Sequence, residues 1–290
     1  GTLNLATIGR TSPLVAIFLL TGLGVKAALV PFHSWLPEAD DAASAPVAAM
    51  LTAVIIKVCG VYVIARLFFN VLGLSWQVAS VLTIFGGASI LIGGFLMIGQ
   101  REIKRVLAYS SISQIGYILV GFGLATPLGI MGGVFHLFNH IFMKALLALN
   151  AGSIEKANGR TMPVTSATTL VGSLAVSGIP PFNGFWSKLF IILACLQAGR
   201  FWLALAAIIG SILTLAAFLK VMEKLFFGEG LGVGQRRDAP WPMMTATVIL
   251  AVGCLGIGLA FPFILQTIIN PAVVALLSGT GYGRMITGGL

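Results

Sequence analysis

Four lysines, Lys26, Lys57, Lys144 and Lys188, lie within long apolar runs or at breaks in them. A lysine held at the centre of a bilayer costs ~2.5–3.5 kcal/mol even on the lenient insertion scale, so four unable to reach the interface would cost on the order of 10–14 kcal/mol. Snorkelling, with the stem in lipid and the ammonium among headgroups, is the bland alternative. Lys57 is twelfth in an apolar run of twenty-one residues, too deep for easy snorkelling, and Lys144, sixteenth of twenty-three, is borderline. Lys26 lies five residues before Pro31 and Lys188 seven after Pro181, so each flanks a helix-breaking sequence whose freed backbone groups, with water, can solvate an ammonium. Desolvation penalises the charged form of a buried amine, which suits a group that must gain and lose a proton.

His136, His140 and Lys144 follow at i, i+4 and i+8. Each step of four turns ~40° and climbs ~6 Å along a helix, so the three line one narrow stripe. An HxxxH pair can bind a metal, but no HExxH glutamate and no nearby third ligand accompany it. Haem between helices would need a histidine on another span, and His33 is the only other one. Core histidines bonded to neighbours and a proton path through imidazoles remain as readings. Ser110, Ser111, Ser113, Gln114, Tyr117 and Asn139 could extend such a path with water, although polar side chains are common in transmembrane packing. All eight acids, Glu38, Asp40, Asp41, Glu102, Glu155, Glu223, Glu229 and Asp238, fall in loops or at span ends. No span therefore offers a carboxylate counter-ion, and the acidic partner of the lysines is expected on another segment or subunit. The Glu38, Asp40 and Asp41 cluster reads as a solvated loop, a subunit contact or a proton-collecting mouth.

The elements that must hold these residues follow from composition. Of 290 residues 58% are hydrophobic and 9% charged, against roughly 25% charged in a soluble domain, which excludes a soluble enzyme. Apolar stretches at 12–31, 46–66, 77–99, 107–125, 129–151, 164–198, 201–219 and 243–268 predict an all-α, polytopic transmembrane bundle of about eight spans. Two are broken helices, the first at Pro31-Phe32 and the second at Ile179-Pro180-Pro181-Phe182-Asn183-Gly184. Paired discontinuous helices point to an ion path. On the side reached after the first span lie Arg101, Lys104, Arg105, Lys156, Arg160, Lys220, Lys224, Arg236 and Arg237; the other side has Arg10, Arg66, Arg200 and Arg284. The positive-inside rule makes the first side cytoplasmic and both chain ends outward. The net charge of +9 is thus a topology signal plus four lysines in the spans. Glycines such as Gly86-Gly87, Gly93-Gly94 and Gly121 suit close helix approach. Cys59, Cys195 and Cys254 are far apart, without metal or haem spacing, and no nucleotide or nucleic-acid motif is present.

With these residues assembled, the chain resembles the antiporter-like proton-channel subunits shared by respiratory complex I, membrane-bound hydrogenases, formate hydrogenlyase and Mrp-type Na+/H+ antiporters. The resemblance rests on Lys26 through Pro31-Phe32-His33-Ser34-Trp35-Leu36-Pro37-Glu38, on Ala45-Pro46 through Lys57, on Lys104-Arg105 through Tyr109-Ser110-Ser111, on His140 through Lys144-Ala145-Leu146-Leu147, and on Gly178 through Phe185. It implies a proton pathway of Lys26, Lys57, His136, His140, Lys144 and Lys188, with His33, Glu38, Ser110 and Tyr109 accessory. It also implies two inverted five-helix repeats within one membrane domain over 1–290, the first incomplete and the second covering roughly 77–227. In such proteins the lysine matching Lys26 pairs with a glutamate on an earlier helix. The chain therefore reads as a C-terminal part, split, cleaved or belonging to a longer sequence, with another segment or chain supplying the missing helices.

The implied function is a proton-translocating subunit of a redox-driven complex in a prokaryotic cytoplasmic membrane, with Na+ exchange open. The chain itself would bind no cofactor and perform no redox step; iron–sulfur clusters, a nickel–iron site or flavin would sit on partner subunits. Nucleic acid is not an expected partner. A stand-alone or Mrp-type cation/proton antiporter subunit is a second reading, and a structural anchor for a redox arm a third.

Overall fold

The computed structural model describes residues 12–155, 162–227 and 238–279. Arg10, Lys156, Arg160, Glu229, Arg236, Arg237 and Arg284, which entered the charge count, lie outside these residues, as does the side chain of Lys224. Among the described residues eleven helices follow one another: α1 (Pro13–Lys26), α2 (Trp35–Ala42), α3 (Ala45–Val71), α4 (Trp76–Ile98), α5 (Ile103–Gly123), α6 (Pro127–Glu155), α7 (Pro163–Ser177), α8 (Asn183–Gln197), α9 (Phe201–Phe227), α10 (Trp241–Leu259) and α11 (Phe261–Leu277). Among the described residues no strand occurs. Six helices, α3 to α6, α9 and α10, are long and apolar enough to cross a membrane by length and composition.

Both expected breaks are present. The chain leaves α1 through Ala28 at φ +53°, and the Trp35 indole of α2 donates back to the Val25 carbonyl at 2.8 Å. The Val30 amide, freed by the break, donates to Ser89 Oγ of α4 at 3.2 Å. α7 ends at Gly178, whose φ of +84° carries no Cβ penalty, and the Ile179 amide turns back to the Leu174 carbonyl at 3.0 Å. Asp238, entering α10, caps the start of α7 by accepting from the Val164 and Thr165 amides at 2.9 and 3.1 Å.

The last apolar region differs from the expected single run over 243–268. Ala260 interrupts it, and a second helix continues to Leu277. The helix passes through Pro271 after a widened π turn over Leu265–Ile269. A π turn spares the i→i−4 bond that proline cannot donate. The Asn70 amide of α3 then holds the end of α11 by donating to the Ala275 and Gly279 carbonyls at 2.8 and 3.0 Å.

α5 is the enclosed axis of the bundle. It packs on α4 and α6, and its residues from Val106 to Gly123 are buried apart from the half-buried Tyr109. The glycine approach foreseen for α4 is realised here, since Gly86 and Gly93 meet the α5 backbone. Polar side chains carried by α5 are thereby forced inward, where they must find partners within the protein.

A candidate site of buried lysines and histidines

Three of the four lysines are buried, each held by carbonyl oxygens. Lys57 is 1% exposed and sits in a π-widened stretch of α3, where its ammonium donates to the Thr52 carbonyl one wide turn back. Lys144 of α6, also 1% exposed, donates to the Leu107 carbonyl of α5 and lies 3.4 Å from Ser110 Oγ. It does not snorkel outward: it crosses to the neighbouring helix, one turn inside the start of α5. Lys188 of α8 reaches back over the break to the Val176 and Ser177 carbonyls at 2.9 and 3.5 Å. Those are the last carbonyls of α7, the partially negative end of a half-helix, so the helix terminus serves as counter-charge. The Lys188 ammonium also stands 4.6 Å from the centroid of the Tyr117 ring.

Lys26, by contrast, is exposed on the surface of the described chain at the first break. Within the described residues it is not enclosed as the other three are, for a local reason. It ends α1 on the face away from the core, whereas Ala27 to Val30 turn inward.

His136 is wholly buried, with both ring nitrogens engaged: Nδ1 with Ser187 Oγ of α8 at 2.9 Å and Nε2 with Gln114 Oε1 of α5 at 3.0 Å. This arrangement accepts either protonation state. A neutral ring donates from Nε2 to Gln114 and accepts at Nδ1 from the Ser187 hydroxyl. In a cationic ring both nitrogens donate, and Ser187 turns its hydroxyl to the Gly184 carbonyl, 3.2 Å away. The Gln114 amide in turn faces Thr214 Oγ1 of α9 at 3.5 Å. The Tyr117 ring lies 5.6 Å from His136, and its hydroxyl contacts the Ala207 carbonyl and Ser211 Oγ.

His140 lies one turn further along α6, its ring centroid 6.1 Å from that of His136. Both its nitrogens are buried without a protein partner, as are Asn139 Oδ1 and both side-chain polar atoms of Asn183. Charges on Lys57, Lys144 and Lys188 all act on it. His140 and its orphaned neighbours have the chemistry of a hydrated site. Neither the metal nor the haem reading gains from this: His136 has spent both nitrogens, and among the described residues no group of three or more potential ligands forms a metal site.

The accessory positions divide. Ser110 joins the axis as a neighbour of Lys144; Tyr109 is half-buried against apolar clusters; His33 is half-buried at the first break; Glu38 is exposed. Sequence reasoning missed Ser187 and Thr214, which become neighbours of the stripe only through the packing of α8 and α9. It also misread Asp40, which is 2% exposed. The signal was present: Asp40 follows Leu36 by four residues in α2, and both lie on its inner face while Glu38 points out. Burial raises the Asp40 carboxyl above its ordinary value, against the lowering pull of Lys144, Lys57 and Lys104.

The family model described as "NADH:quinone oxidoreductase/Mrp antiporter, TM" matches residues 2–214. Among curated relatives, the NADH-quinone oxidoreductase subunit N of Desulforudis audaxviator is 30% identical over 309 aligned positions, covering 94% of this chain and 62% of the relative. The hydrogenase-4 component B of Escherichia coli is 32% identical over 297 positions, covering 89% of this chain and 44% of the relative. The chain thus spans about half to three fifths of the length of these relatives. Among solved structures, the Mrp complex from Dietzia sp. superposes with a TM-score of 0.90 at 28% identity, covering 99% of this chain and 64% of its counterpart. The broken helices, the enclosed lysines and these matches agree: the chain is an integral membrane protein of the NADH:quinone oxidoreductase/Mrp antiporter transmembrane family.

Proposed function

We propose that this chain moves protons through a buried polar axis at half the depth of the membrane, as part of an antiporter-like subunit in a redox-driven complex of the hydrogenase or complex I type. The carrying observation is that Lys57, Lys144 and Lys188 are all enclosed and all bonded to carbonyls rather than carboxylates, and that an unpartnered His140 is buried in the same bundle. An ammonium that has only dipoles for partners can release its proton without breaking an ion pair. His136 links this centre to α8, because its bonds to Gln114 and Ser187 suit both its neutral and its cationic form. Lys188 then ends the path at the break, where the α7 terminus steadies its charge. Water bound among His140, Asn139 and Asn183 completes the line.

In this reading α4 to α9 form the second inverted repeat, roughly 77–227, and α1 to α3 belong to the first. Lys26 faces protein that supplies its carboxylate. Redox cofactors sit on partner subunits, and the basic loops face the cytoplasm of a prokaryotic cell. A second reading, an Mrp-type subunit exchanging protons for Na+, is favoured by the match to the Mrp complex structure over nearly the whole chain.

The test is Lys57→Met in the intact complex, assayed for proton translocation in inverted membrane vesicles. Translocation is expected to disappear while the complex assembles. Normal translocation in the variant overturns the reading and leaves a structural anchor. Strict dependence of the wild-type signal on Na+ selects the Mrp-type reading.

A further inference from the structure

Asp40 is the one buried carboxylate among the described residues, and the path above does not use it. It lies on α2, which packs against the start of α5, while α3, entered five residues later, packs against α6. Three ion pairs tie down this face of the molecule: Lys104 with Glu155 at 3.0 Å, Arg105 with Asp41 at 3.4 Å, and Arg105 with Glu102 at 3.1 Å. Asp40 is in none of them, and its Oδ1 is enclosed without a hydrogen-bond partner. The charged groups acting on it are Lys144 of α6, Lys57 of α3, Lys104 of α5 and its neighbour Asp41. Two of these are pathway lysines. Lys104 is fully engaged: besides Glu155, it donates to the Asp41 and Ala43 carbonyls at 3.1 and 3.3 Å, pinning the end of α2 to α5.

The position is that of an inlet. Glu38 on the same short helix is exposed and Asp41 half-exposed, so the surface is within one turn of Asp40. On the inner side, Lys144 reaches toward the same end of the bundle, to the Leu107 carbonyl and Ser110. A carboxylate kept only for structure would be expected in a bonded ion pair, since an unpaired buried charge is costly. A carboxyl left with an empty oxygen between the surface and an amine is placed to carry a proton.

We propose that Asp40 is the proton-transfer carboxyl through which protons from the surface bearing Glu38 and Asp41 reach the Lys144 amine. In the step, the Asp40 carboxylic acid gives its proton through water to the neutral amine of Lys144, leaving a carboxylate and an ammonium. The carboxylate then takes a proton from water at the surface, and Lys144 passes its own to the His140 and Lys57 centre. No bond other than those to the proton changes and no electron moves. This inference rests on the proposed proton path and adds its entry.

The test compares Asp40→Asn and Asp40→Glu with Lys57→Met in the complete complex in inverted vesicles. Asp40→Asn is expected to lower the translocation rate on the order of 10²-fold, the lower range for a positioned proton-transfer group. Asp40→Glu should keep most of the rate, and a small permeant weak acid should restore part of it to Asp40→Asn, which a merely structural role would not allow. If Lys57→Met translocates normally, the proton path itself fails. If Lys57→Met is dead and Asp40→Asn runs at the wild-type rate, only the Asp40 inlet fails. Infrared spectroscopy of the intact complex gives a second readout should Asp40→Asn not assemble. A protonated-carboxyl C=O band must shift in Asp40→Glu and change its titration in Lys144→Met; absence of such a band overturns the proposal.

Discussion

Replacing Lys188 by arginine and by methionine separates charge from proton exchange. In the wild type the ammonium makes two contacts to the end of α7, at 2.9 and 3.5 Å. Hydrogen bonds of charged groups are worth ~1.5–3 kcal/mol each at good geometry, and the longer contact is weaker. The Tyr117 face adds ~0.5–2 kcal/mol. Against these stands the cost of enclosing an ammonium, several kcal/mol. The terms nearly cancel, so Lys188→Met should change the stability of the assembled complex by no more than about 2 kcal/mol. Lys188→Arg keeps a cation at the helix end, with crowding of ~1–3 kcal/mol because Gly178 already approaches the Lys188 stem. A guanidinium does not release its proton in proteins. Both variants should therefore assemble, as judged by native electrophoresis and thermal unfolding in detergent, and both should lose proton translocation in vesicles. Wild-type translocation by Lys188→Arg would refute the idea that this group exchanges protons and would reduce Lys188 to a helix cap.

Other perturbations probe the supports. Asp238→Ala removes the carboxylate that caps α7 and also accepts from the Thr165 hydroxyl at 2.8 Å; it should lower stability by about 1–2 kcal/mol, read as a fall in Tm. Gly258→Ala would drive a Cβ into the Pro181 carbonyl, a backbone atom that cannot swing away; reduced Tm together with impaired translocation is expected, and a neutral result would show that α10 does not brace the break. Asp40 gives a pH signature. Its carboxyl is raised in the folded protein, so the folded state binds more protons than the unfolded state between the two values, and this group's contribution to stability falls as pH rises through that window. Asp40→Asn should accordingly gain Tm over the wild type as pH is raised from the ordinary carboxylate range toward neutrality. An unchanging difference across that range would contradict the burial effect.

Much of the architecture was legible because hydropathy and proline act locally. The long runs over 77–99, 107–125 and 129–151 correspond to α4, α5 and α6, and both broken helices fall where proline pairs with phenylalanine. Lys188 was readable as far as its neighbourhood: a lysine beside a break can be solvated by backbone. That its partners are the final carbonyls of α7 depends on how the two half-helices meet. Ser187 and Thr214 were invisible for the same reason, since a lone hydroxyl gains meaning only when packing sets it against an imidazole or an amide. The apolar stretch over 243–268 stops short of the end of α11, because hydropathy does not reveal the widened turn that carries the helix through Pro271. Lys26 and Asp40 were misplaced in opposite directions. Both stand next to the first break, where a change of direction decides which face is inward and where residue type is a poor guide to burial.

These two reversals change the electrostatic argument. With every acid assigned to loops, the buried lysines needed a counter-charge from outside the chain. The structure supplies counter-charge internally in two forms, backbone carbonyls for Lys57, Lys144 and Lys188, and a through-space carboxylate at Asp40 for Lys144 and Lys57. The two forms differ in what they do when a proton moves. A helix-end dipole is fixed, so it steadies an ammonium without responding to its neighbours. A carboxyl alternates between neutral and negative, and its charge changes the field at both pathway lysines. Under the proposed proton path, Asp40 is thus the group among the described residues that can respond to a moving proton, while the helix end steadies the Lys188 charge. Lys26 is exposed at the first break, and in the proposed reading a surface outside the described bundle covers it. A cysteine in place of Lys26 tests this directly. In the assembled complex it should resist a membrane-impermeant thiol reagent that labels it in the isolated chain, and equal labelling of both would mean that nothing covers that face.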